Sequence, residues 1–158
     1  RRVAVLNLQG TTFMDALPCP FAAALERIRL WDESLAPRVR LVDFHAEATS
    51  EKKAMGWALD GRVSAVLGTH THVQTADAQI LPLGTAFLTD LGMCGVEPSA
   101  LGMDADTVLT RFLTRRPVSF KPAKGQVCLT GALLDIDDES GLARSIRLFR
   151  EGCPPAVR

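Results

Sequence analysis

The sequence predicts a mixed α/β fold, and three observations carry that expectation. The first 67 residues alternate strand, helix, strand, helix, strand, the order that packs helices on a parallel sheet. Both segments that hold the histidines follow apolar runs, which puts them at the carboxyl ends of strands, where open α/β sheets place their ligands. From Ile80 onward short apolar runs are split by turn residues. That pattern reads as antiparallel strands, so a purely parallel fold is not expected.

In order, Val3-Ala4-Val5-Leu6 with Leu8 reads as a strand buried on both faces. Pro18 and Pro20 lead into a helix over 21–35, whose apolar set Phe21, Ala24, Leu25, Ile28, Trp31 and Leu35 keeps helical spacing. Pro37 ends it. A second strand covers 39–44, and His45 follows directly. Thr49 or Ser50 is placed to cap the next helix, with Glu51 favourable in its first turn. That helix carries Ala54, Met55, Trp57, Ala58 and Leu59, and Asp60-Gly61 closes it. A third buried strand over 63–67 ends at Gly68.

In the second half, residues 80–81, 85–88, 127–136 and 143–149 read as antiparallel strands. Gly84 and Asp137-Asp138-Glu139-Ser140-Gly141 supply turns, and one helix spans about 104–113. Met93, Met103, Phe112 and Phe120 read as core or partly buried packing residues. With no repeat, low-complexity tract or linker, residues 1–158 read as a single domain.

Apolar residues make up 47% and charged residues 23% of the chain, and 18 basic residues balance 18 acidic ones. This is ordinary globular composition, without a nucleic-acid footprint, an anionic-membrane binder or an acidic tail. The basic stretch Arg111, Arg115, Arg116, Lys121 and Lys124 reads as a solvated face. No apolar run approaches the ~20 residues of a membrane span. Cys19, Cys94, Cys128 and Cys153 are widely spaced; they predict no disulfide framework and no structural zinc site, and a reducing cytoplasm fits. The chain opens Arg1-Arg2-Val3, without Met, and enters a strand at once. It therefore reads as the C-terminal part of a longer protein.

The three histidines are His45, His70 and His72. Neutral imidazole is the commonest metal ligand. A His-x-His step in extended backbone places both rings on one side, and His45 at a neighbouring strand end could complete one half of a metal site. Such a donor set favours zinc or iron over magnesium or calcium. Asp43, Glu47, Asp77 and Asp90 are the nearby carboxylates. Asp43 reads as the holder of an imidazole or a backbone amide, and Glu47 as the same or as a helix cap. Thr69 and Thr71 either donate to a phosphate oxygen or shape the turn. Asn7-Leu8-Gln9-Gly10 either lines the same cleft or is a plain polar turn. No Gly-x-Ser-x-Gly elbow, phosphate loop or dinucleotide fingerprint occurs. Cys19 reads as a packed loop residue.

Four segments carry a resemblance. Asn7-Leu8-Gln9-Gly10 with Phe13-Met14, Asp43-Phe44-His45-Ala46-Glu47-Ala48-Thr49-Ser50-Glu51-Lys52, Gly68-Thr69-His70-Thr71-His72-Val73-Gln74-Thr75-Ala76-Asp77 and Thr89-Asp90-Leu91-Gly92-Met93 are similar to the YmdB-type metallophosphoesterases of bacteria. These belong to the calcineurin-like superfamily, and the resemblance runs in order over nearly the whole chain.

The resemblance implies a four-layer α-β-β-α sandwich with mixed sheets, here incomplete at its N-terminal side. It implies a two-metal centre, usually described with iron and also suited to zinc or manganese, that activates a hydroxide to hydrolyse 2',3'-cyclic nucleotides. By the family pattern His45 and His70 ligate one metal and His72 the other. The remaining ligands and the general-acid histidine have no matching position, so no catalytic residue is expected in this chain, and the segment alone is expected to be inactive. Self-association is implied as well; a membrane or a stable nucleic-acid complex is not. Thr11 stands where the family tends to carry Arg, and Cys94 where a small polar residue is usual. Two alternatives remain. An amidohydrolase-type metal hydrolase also uses His-x-His, with further histidines downstream, but none follows His72. The other is a non-catalytic binding or scaffold protein that keeps the fold.

Overall fold

The computed structural model describes residues 2–34 and 37–152. They form two compact units: Arg1–Gly92 with Ala132–Leu148, and Met93–Gly131 with Phe149–Arg158.

In the first unit β1 (Val3–Gln9), β2 (Val39–His45) and β3 (Ala65–Thr69) are joined by α1 (Pro20–Glu33) and α2 (Thr49–Leu59). β4 (Gln79–Ile80) and β5 (Ala86–Leu88) follow. The sheet order is β1-β2-β3-β5-β4, with β1, β2, β3 and β5 parallel. β4 and β5 pair antiparallel, as expected, around a turn in which Gly84 adopts a positive φ. That hairpin returns β5 alongside β3 in the parallel sense, a second pairing that the sequence reading did not contain.

One face of the sheet packs Val42, Phe44, Val66 and Phe87 against Ala24 and Ile28 of α1 and Met55 and Leu59 of α2. On the other, Ala65 and Ala86 meet Ala143, with Leu41, Leu67, Leu134, Ile136 and Ile146 around them. β2 and β3 are therefore covered twice, and β1 is not. It is the sheet edge; Leu6 and Leu8 pack inward, while Val3 and Val5 are 57% and 66% exposed. The expected double burial of β1 fails because a strand alternates its side chains and only one side here is covered.

α1 matches its expected stripe at Phe21, Ala24, Ile28 and Trp31, whereas Leu25 is exposed and Leu35 lies outside the described residues. α2 begins on Ala48 with no side-chain cap, so neither Thr49 nor Ser50 caps it. Its inner face is Glu51, Lys52, Met55, Gly56 and Leu59, and Trp57 points away, 61% exposed. Asp60 accepts from the Leu83 and Thr85 amides at 2.9 and 3.3 Å, tying the end of α2 to β5.

The second unit holds β6 (Gly95–Glu97), which the sequence reading missed, and α3 (Ala105–Thr114). β6 pairs antiparallel with the first residues of β7 (Gln126–Ile136), and β8 (Ala143–Glu151) completes a sheet of order β6-β7-β8. Asp104 caps α3 by accepting from the Thr107 amide and hydroxyl at 2.9 and 2.6 Å. No α3 residue is buried. Phe112, read as a packing residue, is 75% exposed; Met103 and Phe120 are exposed too. Cys128 is fully buried and disulfide-bonded, against the expectation of unpaired cysteines, while Cys19 and Cys94 are free; Cys153 lies outside the described residues. No helix among the described residues is long and apolar enough to cross a membrane.

Candidate metal centre

Three adjacent parallel strands end together. In register, Asn7 lies beside Asp43, Gln9 beside His45, and His45 beside Thr69. The Gly10 amide donates to the His45 carbonyl at 2.8 Å, and the Ala46 amide to the Thr69 carbonyl at 3.3 Å. The carboxyl edge is thus fixed by backbone before any side chain acts.

A chain of side-chain contacts crosses this edge. Asn7 Nδ2 donates to Asp43 Oδ2 at 2.8 Å. The Thr69 hydroxyl donates to Asp43 Oδ1 at 3.3 Å and lies 3.0 Å from His45 Nδ1. His45 Nε2 faces His70 Nδ1 at 3.1 Å, with the rings edge-on at 68°. His70 Nε2 contacts the Glu47 carboxylate. Since Thr69 spends its proton on Asp43, it accepts from His45 Nδ1–H; since Glu47 accepts, His70 carries its proton on Nε2. With protons so assigned from partners, His45 Nε2 is an acceptor that faces His70 Nδ1. Asp43, read as the holder of an imidazole or a backbone amide, instead contacts the Asn7 side chain and the Thr69 hydroxyl and reaches His45 only through Thr69.

The third histidine does not join them. β3 ends at Thr69, and His70 and His72 both lie beyond it with φ of 141° and 63°. The extended alternation assumed for the His-x-His step is absent there, and His72 is exposed. Among the described residues no group of three or more His, Cys, Asp or Glu is arranged to hold a metal ion.

The remaining carboxylates hold loops instead of facing the rings. Asp90 accepts from the Thr71 amide at 2.8 Å and the Gly92 amide at 3.0 Å, and pairs with Lys52 Nζ at 2.9 Å. Burial pushes its pKa up, but those amides and the Lys52 ammonium outweigh burial and hold it below the ordinary carboxylate value. Burial also opposes ionisation of Asp77; hydrogen bonds from Thr89 and Thr75, with Lys53 nearby, overcome it and lower the pKa. Glu51 accepts from the Thr11 and Thr12 amides at 3.0 and 3.3 Å and fixes the turn after β1. Gly10 is required in that turn, because a Cβ there would sit 2.4 Å from Glu51 Oε2 and 2.6 Å from Ala46 Cβ. Sequence reasoning missed Lys52. Its signal was a lysine on the same helical stripe as Met55, Gly56 and Leu59.

The family model described as YmdB-like protein matches residues 1–149. This chain belongs to the YmdB-like family. Over 151 residues it is 50% identical to the 2',3'-cyclic-nucleotide 2'-phosphodiesterase of Bacillus subtilis strain 168, covering 92% of this chain and 54% of that protein. A crystal structure of a hypothetical protein from Thermus thermophilus superposes with a TM-score of 0.83 at 44% identity, covering 95% of this chain and 57% of that one. The crystal structure of a novel phosphatase from Mycoplasma pneumoniae gives 0.81 at 34% identity, covering 92% and 52%. The chain spans about half the length of the curated YmdB-like relatives it matches.

Proposed function

We propose that this chain is part of a metal-dependent phosphodiesterase that hydrolyses cyclic nucleotides of the 2',3' type. The observation that carries the reading is the facing pair His45 Nε2 and His70 Nδ1. A separation of 3.1 Å suits two ring nitrogens that share a proton or a cation, and the resemblance to metal-dependent phosphoesterases favours a cation. Both outer nitrogens are occupied by the Thr69–Asp43 link and by Glu47, the arrangement that fixes tautomer and ring orientation in metal-bound histidines. The donor set therefore fits a transition metal.

In this reading His45 and His70 hold one ion and His72 serves the second. Bound metal supplies a Lewis acid for the phosphoryl group and makes water acidic enough to act as a nucleophile at neutral pH. Thr69 and Glu47 keep the two lone pairs aimed inward, and Asp43 keeps Thr69 aimed. The general acid is not assigned to any residue of this chain. Residues 1–158 alone offer two nitrogens to one ion and one to the other, so weak metal binding and no turnover are expected of them in isolation. The family resemblance supports iron, with zinc or manganese also suited, a dinuclear centre in a four-layer sandwich that residues 1–158 enter as part of one domain, self-association and a cytoplasmic setting. The amidohydrolase alternative is built on a wholly parallel barrel, whereas β4 and β5 of this sheet pair antiparallel.

The test is hydrolysis of 2',3'-cyclic AMP by the full-length protein. Activity lost on chelation and restored by added metal is expected. Hydrolysis indifferent to chelators, or none in metal-replete protein, contradicts the reading.

A further inference from the structure

Lys52 and Asp90 are the most deeply buried ionised side chains among the described residues, 1% and 0% exposed. An ion pair buried so fully is weak evidence for stability, because desolvation of both charges offsets their attraction. What sets this pair apart is the backbone that it holds.

The Asp90 carboxylate accepts from the Thr71 amide, between the two loop histidines. The backbone beside it fastens the loop on either side. The Leu91 amide donates to the Gly68 carbonyl at 2.9 Å, and the Thr75 amide to the Asp90 carbonyl at 3.1 Å. The Asp90 amide donates in turn to the Thr75 hydroxyl at 2.9 Å. Loop entry, middle and exit are thus all tied to one short segment. Gly68 lets that segment approach: a Cβ there would lie 1.8 Å from the Thr89 carbonyl oxygen and 3.1 Å from Lys52 Cδ. Meanwhile His70 and His72 hold positive φ without being glycine. Such conformations persist only where the surroundings over-determine them.

We propose that the Lys52–Asp90 pair is the positioning device of the site, holding the His70-Thr71-His72 loop in its strained conformation through the Thr71 amide. The value of this role to metal binding rests on the metal-centre reading above; the loop-holding role does not. Lys52 keeps Asp90 ionised and aligned, and an ionised acceptor makes the stronger hydrogen bond to Thr71. The neighbouring Glu51 fixes the turn after β1, so the first turn of α2 braces both loops at the carboxyl edge.

The experiment is amide hydrogen exchange at Thr71 in the full-length protein, with metal affinity measured on the same samples. In the wild type Thr71 should be as protected as Val66 of β3. Asp90→Asn and Lys52→Met should each speed exchange at Thr71 at least tenfold beyond any change at Val66, and Lys52→Arg should restore part of the protection. Metal affinity should fall about 10–100-fold in the first two variants. Free exchange at Thr71 in the wild type, or unchanged exchange in the variants, overturns the proposal. So does full metal affinity in a variant whose Thr71 amide has been released. If both variants fail to fold, the wild-type measurement decides, protection supporting the proposal and free exchange overturning it. A wild-type protein that binds no metal removes the metal-centre reading and leaves the exchange result standing.

Discussion

His45 and His70, 25 residues apart in sequence, meet nitrogen to nitrogen at 3.1 Å, and each has its outer nitrogen engaged by a different partner, Thr69 for one and Glu47 for the other. Register sets His45 beside Thr69, and the turn of the chain at His70, with its φ of 141°, brings the second ring to it.

Thr69 is the lever on that arrangement. Thr69→Val keeps the shape and removes the hydroxyl that links His45 to Asp43. Metal affinity should fall about 10–100-fold, as when outer partners of metal-bound histidines are removed. Chelator competition on the full-length protein measures this, and an unchanged affinity counts against the tautomer assignment.

Stability should decline in acid through Asp77 and Asp90. Both pKa values are depressed in the folded chain, so between the folded value and the unfolded value near ~3.9 the unfolded state binds more protons. Their contribution is fully present above that range and is lost as pH falls through the folded values. Urea titrations at pH 7 and near pH 3 should show a smaller loss for Asp77→Asn and Asp90→Asn than for the wild type. Equal losses would exclude these carboxylates as the source.

Gly68→Ala should destabilise by roughly 1–3 kcal/mol or more, the usual cost of overpacking, because the new methyl meets the Thr89 carbonyl oxygen at 1.8 Å. Backbone rather than a flexible side chain must move. Urea unfolding checks this; a neutral substitution would mean that β3 and the segment after β5 are not in contact.

Two aromatic residues should behave oppositely. Phe44 is fully buried and Trp57 is 61% exposed. Phe44→Ala should cost about 3–5 kcal/mol, and Trp57→Ala should stay within about 0.5 kcal/mol. Similar losses in urea unfolding would contradict the orientation of α2.

The parallel order β1, β2, β3 and the placement of His45 and Thr69 at strand ends were legible because long apolar runs between helices leave few arrangements. Burial was less legible. Val3, Val5, Trp57 and Phe112 are apolar and exposed, and a sequence pattern gives the direction of a side chain without telling whether another element lies over it. The three residues of β6 are too few to show periodicity. The Lys52–Asp90 pair joins positions 38 residues apart, a distance that local spacing does not reveal. The relative placement of His70 and His72 was not legible either, because the strand period stops at Thr69 and positive φ values follow it.

The central claim is that His45 and His70 share a metal ion. Elemental analysis of the full-length protein, wild type beside His45→Ala and His70→Ala, tests it most directly. The expected result is bound transition metal in the wild type and loss of the same one equivalent in each variant, with folding intact. Full metal content in either variant, or a wild type that holds none after metal loading, would contradict it.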